Sequence, residues 1–119
     1  MRHKESSLQS SCVAWFRLQY PEIGRLLCAI PNGGARGKTE AKILKGEGVT
    51  AGVADCVLFL PRGGYGTLCI EFKTDTGRQS PAQKDWQQLA ERYGNKYVIC
   101  RSFEEFRETI ISYIGGMRI

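Results

Sequence analysis

The sequence predicts a mixed-sheet α/β domain, and three observations carry that expectation. Apolar runs of strand length recur along the chain, they alternate with stretches whose apolar residues repeat at helical spacing, and two of the runs are joined by a glycine-rich link of hairpin length. At 119 residues and 42% hydrophobic composition, the chain can bury one compact core and is short for two. The expectation is a single domain over residues 1–119, with a central mixed β-sheet flanked by helices.

The elements follow in order. ESSLQSSCVAWFRLQY, residues 5–20, aligns Leu8, Cys12, Trp15, Phe16 and Tyr20 on one helical face before Pro21 closes the segment. RLLCAI, residues 25–30, is short and apolar and runs into PNGG, so it reads as a strand entering a glycine-rich loop. TEAKILKGE predicts a short helix and GVTAG a turn. CVLFL and TLCIEFK then flank PRGGYG as the two strands of a hairpin. If that link is symmetric, pairing outward sets Asp55 opposite the Phe72–Lys73 end of its partner, within about one residue. Strand alternation puts Glu71 and Lys73 on one face and Ile70 and Phe72 on the other. In SPAQKDWQQLAERYG, Ser80 is an N-cap, Pro81 takes the first helical position, and Ala82, Trp86, Leu89, Ala90 and Tyr93 form an apolar stripe that Gly94 ends. KYVICR is a further strand. Ser102 and Glu105 then make a capping box for a last helix striped by Phe103, Phe106, Ile110 and Ile114.

Composition removes several classes of function. No apolar run approaches the roughly 20 residues of a membrane span, and MRHKESSLQSS lacks the apolar stretch of a secretory signal, so a soluble, cytoplasmic protein is expected. Cys12, Cys28, Cys56, Cys69 and Cys100 are scattered singly with no C-x-x-C, which argues against a disulfide framework and a zinc knuckle and for buried small hydrophobes. The one histidine, His3, lies at the terminus, which leaves catalysis to carboxylates, lysine or an oxygen-ligated metal. A net charge of +5 and a pI near 9.1 favour a polyanionic partner.

Asp55, Glu71 and Lys73 converge at one corner of the expected sheet. Charges set into a half-buried strand end are costly unless paired or bound to something. Two carboxylates there suit a hard divalent cation such as Mg²⁺, and a lysine beside it suits orienting water or stabilising charge on a phosphoryl group. That set of parts fits phosphodiester hydrolysis; a structural cross-strand ion pair is the plainer alternative. NGGARGKT ends in Gly37-Lys38-Thr39 like a phosphate-binding loop, but Asn32 stands where the first glycine is required. Its Arg36 and Lys38, with Lys42 and Lys45, are better suited to contacting a DNA backbone, as is Arg78.

The pattern GVADCVLFLP…IEFKTDTGRQSPAQKDW resembles the PD-(D/E)XK nucleases and, more specifically, their VRR-NUC branch, through Gly52, Asp55, Glu71, Lys73, Gly77, Arg78, Ser80 and Gln83. Ala54 stands where many relatives carry proline. The resemblance spans the chain from NGGARG through VICRSFEEF and implies a restriction-endonuclease-like fold. It further implies metal-dependent DNA cleavage, with Asp55, Glu71 and the Phe72 carbonyl as ligands to Mg²⁺ or a substituting Mn²⁺ and Lys73 near the water. Gln83 would touch the site from its helix, and Glu5 is the acidic residue placed to complete it. Each has a plainer role as well: Gln83 completes a capping box with Ser80, and Glu5 is a favourable dipole partner in a first helical turn. Stand-alone members resemble structure-selective nucleases, including Holliday-junction resolvases that act as homodimers on branched DNA. A non-catalytic DNA-binding or assembly module that kept the fold is the alternative.

Overall fold

The computed structural model describes residues 2–31 and 37–115. Helix α1 (Arg2–Gln19) leads through a 3₁₀ turn (Gly24–Leu26) into β1 (Leu27–Ala29), and α2 (Lys38–Gly46) precedes β2 (Cys56–Leu58) and β3 (Leu68–Phe72). Helix α3 (Pro81–Arg92), β4 (Lys96–Cys100) and α4 (Phe103–Ile114) complete the order. The four strands lie in sequence order in one sheet, β1, β2 and β3 antiparallel and β4 parallel to β3. Helix α3 makes the crossover that a parallel pair requires.

The first strand is shorter than RLLCAI predicts. Its opening residues coil into the 3₁₀ turn, where the Arg17 guanidinium donates to the Gly24 carbonyl (3.2 Å) and to the Leu27 carbonyl (3.1 Å). A side chain from α1 thus takes one of the carbonyls that an edge strand would leave open.

Alternation sorts the sheet into two faces as expected. Leu68, Ile70 and Phe72 are buried with Cys12 and Phe16 of α1 and Phe106 and Ile110 of α4. Trp15 meets Tyr20, Phe103 and Phe106 edge-on, at centroid separations of 6.0, 5.7 and 6.2 Å. On the opposite face Val57, Cys69 and Tyr97 pack with Ala54, and Trp86 of α3 lies over Tyr97.

Two details of the helices differ from the sequence reading. The buried side of α3 is not the apolar stripe: Leu89 and Tyr93 are 55% and 74% exposed, Ala82 is exposed, and Gln83, Trp86, Gln87 and Ala90 turn inward. At 100° per residue that face is rotated by roughly 65° toward the two glutamines, because Gln83 finds Glu71 on the sheet and Gln87 finds Gln79 in the loop before the helix. At α4 the Ser102 hydroxyl accepts from the Glu105 N–H (3.1 Å), but the Glu105 carboxylate reaches one residue further back, to the Arg101 N–H (2.6 Å). The cap is complete with its return bond shifted by a residue.

No described helix is long and apolar enough to cross a membrane. All five cysteines are free, and Cys12, Cys56, Cys69 and Cys100 are buried, with burial pushing their thiols up. They act as small core residues.

Candidate active site

Strand β2 stops at Cys56, one residue after Asp55. The ladder pairs Cys56 with Ile70, so continuing it sets Asp55 opposite Glu71, one residue nearer the hairpin than the symmetric-link estimate. The Asp55 side chain supplies the next rung: its Oδ2 accepts the Phe72 N–H at 2.7 Å. The Lys73 N–H donates the other way, to the Cys100 carbonyl of β4 (3.1 Å). Strand alternation therefore turns the Phe72 carbonyl toward Asp55 as well.

Glu71 is buried, 2% exposed, and each carboxylate oxygen has partners. Tyr97 Oη donates to Oε1 (3.3 Å), Gln83 Nε2 donates to Oε2 (2.9 Å), and Lys73 Nζ lies 3.7 Å from Oε2. Gln79 Nε2 donates to the Tyr97 hydroxyl in turn (3.3 Å). Gln83 also performs its capping role: its own N–H donates to Ser80 Oγ (3.2 Å) while its Oε1 accepts the Ser80 N–H (2.9 Å). One side chain thus caps α3 with its carbonyl and holds Glu71 with its amide nitrogen.

Asp55, Glu71, Lys73, Ser80 and Gln83 line a cleft of about 530 Å³, together with Glu5 of α1 and the turn at Ala51 and Gly52. Glu5 Oε2 accepts the Thr74 N–H (3.5 Å), which brings a third carboxylate to the rim. Glu5, Asp55 and Glu71 face a single lysine, Lys73, so the cleft is anionic in a chain of net charge +5. Burial raises Asp55 above the ordinary carboxylate range, against the Phe72 N–H and Lys73. Burial, and then the charge of Asp55, push Glu71 up to about 8, with Lys73 opposing. The half-buried Asp55 and the buried Glu71 share one lysine, so both ionise together only when further positive charge arrives. A hard, oxygen-preferring divalent cation fits that deficit, with Asp55, Glu71 and the Phe72 carbonyl as its donors. Among the described residues no group of three or more His, Cys, Asp or Glu side chains is placed to hold a metal.

Gly52 fixes the distance between α3 and this corner. Its φ is +85°, and a Cβ there would overlap the Ala82 carbonyl oxygen and lie 2.5 Å from its carbon. Only glycine lets the turn before Asp55 press against the first turn of α3, which carries Gln83.

Several residues at the site were not singled out in the sequence. Tyr97 needs the parallel β3–β4 register to reveal it, since only that register places it on the face of Glu71. Gln79 is visible only through Tyr97. Arg101 fastens the loop after Lys73: its Nη1 donates to the carbonyls of Thr74 (2.8 Å), Asp75 (3.4 Å) and Gly77 (2.8 Å). Among the expected nucleic-acid contacts, Lys38, Lys42 and Lys45 are exposed on α2, which has no buried residue, and Arg78 is exposed after Gly77. None of these four lines the cleft. Arg36 lies outside the described residues.

The comparisons with known proteins agree with this architecture. The model of the VRR-NUC domain family matches residues 3–104. A solved structure described as a VRR_NUC domain protein superposes with a TM-score of 0.80 at 25% identity, over 92% of this chain and 87% of its own. No curated protein matches the chain.

Proposed function

Because the chain belongs to the VRR-NUC domain family and has its PD-(D/E)XK-like fold, a nuclease-type architecture, we propose that it is a divalent-metal-dependent, structure-selective DNA endonuclease. The observation that carries this reading is the anionic corner itself: Glu71, 2% exposed, beside Asp55 with Lys73 as the one cation. A purely structural ion pair would match one carboxylate to one lysine; here a second, buried carboxyl has no cation of its own, and a bound divalent cation would let it ionise.

Asp55, Glu71 and the Phe72 carbonyl are the residues to hold Mg²⁺ or Mn²⁺, which when bound supplies Lewis acidity toward the scissile phosphate. The remaining work falls to the chain. Tyr97 and Gln83 hold the Glu71 carboxylate from two sides and fix its orientation. Lys73 Nζ, held 3.7 Å from Glu71, donates to the attacking water or to a phosphate oxygen as negative charge grows. The water oxygen bonds to phosphorus as the bond to one ester oxygen breaks, leaving a phosphate on one product and a hydroxyl on the other. The exposed lysines of α2 and Arg78 make sequence-independent contacts to the backbone. Five free thiols suit a cytoplasmic setting.

The test is cleavage of a labelled panel (four-way junction, flap, nicked duplex, plain duplex, single strand) with Mg²⁺ or Mn²⁺. We expect Asp55→Ala and Lys73→Ala each to lower the rate on the order of 10³-fold or more. Unchanged metal-dependent cutting by Asp55→Ala would remove the basis of the proposal. The narrower reading is a Holliday-junction resolvase, whose paired cuts require two sites related by a two-fold axis. For it we expect symmetric nicks in the junction and a homodimer mass by sedimentation on junction DNA; a monomer on the junction would count against it.

A further inference from the structure

Beside the cleft at Asp55 lies a second one of about 370 Å³, lined by Lys4, Leu8, Thr74, Asp75, Thr76 and Arg101. The two share a wall. Lys4 and Glu5 are successive residues of α1, Lys73 and Thr74 are successive residues leaving β3, and in each pair one lines the second cleft and the other the first. We propose that this second cleft binds a DNA backbone phosphate next to the scissile one, a reading that rests on the nuclease function proposed above.

The electrostatics of the two clefts are opposite. The first gathers Glu5, Asp55 and Glu71 around Lys73, so a phosphate enters it only with a cation. The second sets Lys4 and Arg101 against Asp75 alone, and among the described residues neither cation is ion-paired to a carboxylate. A phosphate diester is attracted to it without help. The Arg101 guanidinium is already anchored by the carbonyls of Thr74, Asp75 and Gly77, so little side-chain freedom is lost when an anion arrives. The hydroxyl oxygen of Thr74, a residue of the cleft wall, is buried without a hydrogen-bond partner, an unfavourable state that a hydrogen bond to an arriving phosphate oxygen would relieve. Leu8 adds apolar surface suited to a sugar. A strand whose scissile phosphate lies at Lys73 therefore meets a cationic cleft one step along, across the wall of the loop at residues 74–77.

The experiment is a single-methylphosphonate scan. Each phosphate across the footprint of a junction oligonucleotide is neutralised in turn, and binding is measured in Ca²⁺ for the wild type and for Lys4→Gln. Lys4 is exposed in the first turn of α1, so the substitution leaves the core untouched. For the wild type we expect one position beside the cut to lower affinity about tenfold. Lys4→Gln should bind unmodified DNA about tenfold more weakly, show no further loss at that position, and lose roughly 0.9 from the salt-dependence slope. Binding by Lys4→Gln within about twofold of the wild type, or undiminished sensitivity at every position, overturns the proposal. So does a wild type that fails to bind DNA. Cutting with no Lys4-dependent position overturns the phosphate site alone. A Lys4-dependent position in a protein that cuts nothing with Mg²⁺ or Mn²⁺ upholds the phosphate contact and overturns the nuclease reading.

Discussion

Glu71→Gln will abolish metal-dependent cleavage and, at the same time, raise the melting temperature of the metal-free protein at pH 8. The carboxylate is held up to about 8 by burial and by Asp55, well above its ordinary value of 4.5. The folded state therefore keeps a proton there that the unfolded chain releases. Stability from this group is present in full below about 4.5 and is lost as the pH climbs toward about 8. The loss sums to a few kcal/mol, at about 1.4 kcal/mol per pH unit, or roughly 10 °C in a chain of this size. Glutamine is neutral throughout; its amide oxygen can accept from Gln83 while its NH2 faces the Tyr97 hydroxyl, which can turn to accept, so the variant should melt at nearly constant temperature between pH 5 and pH 8.5. Added Mg²⁺ should stabilise the wild type at pH 8, by about 1.4 kcal/mol at ten times its Kd, and leave Glu71→Gln unmoved. Thermal melts across pH, with and without Mg²⁺, decide it. Parallel pH profiles for the two proteins would mean that Glu71 is ionised without penalty.

Gly52→Ala should be the most damaging small substitution outside the core. Its Cβ meets backbone, the Ala82 carbonyl at the start of α3, and backbone cannot swing aside as a flexible side chain does. The positive φ costs about 1–2 kcal/mol for any L-residue, and the overlap adds about 1–3 kcal/mol more. We expect a fall in melting temperature on the order of 10 °C. Relief of the clash pushes the first turn of α3 outward and takes Gln83 with it, so the Gln83–Glu71 bond lengthens and cleavage should drop about tenfold or more even at temperatures where the variant is folded. Urea titration combined with cleavage at 15 °C separates the two effects. A variant that loses stability but cuts at the wild-type rate would show that α3 needs no such close seat.

Most of the corner was legible because it is local in sequence. A hairpin and a period of two bring Asp55 to Glu71 and place Lys73 on the same face, and the Ser80–Gln83 cap is written within four residues. What escaped was long-range. Tyr97 reaches Glu71 across a parallel pairing whose register no local signal specifies, and Arg101 acts on carbonyls that any residue carries. The inward face of α3 was misjudged for a physical reason: an apolar stripe is the strongest cue in a sequence, yet Gln83 and Gln87 face inward because Glu71 and Gln79 give their amides partners. Leu89 and Tyr93 pay for that rotation with exposure.

The loop held by Arg101 has a further consequence. The corner draws on Glu5 at one end of the chain, Asp55 and Glu71 in its middle, and Tyr97 and Arg101 near its other end. Thr74 and Glu5 touch across 69 residues of sequence. The arrangement is assembled from both ends and the middle of the chain, so a chain emerging from the ribosome carries Asp55 and Glu71 before it carries the tyrosine and arginine that steady them. On the nuclease reading proposed above, a chain that lacks β4 has the carboxylates of the corner without the tyrosine that orients Glu71, and should not cut.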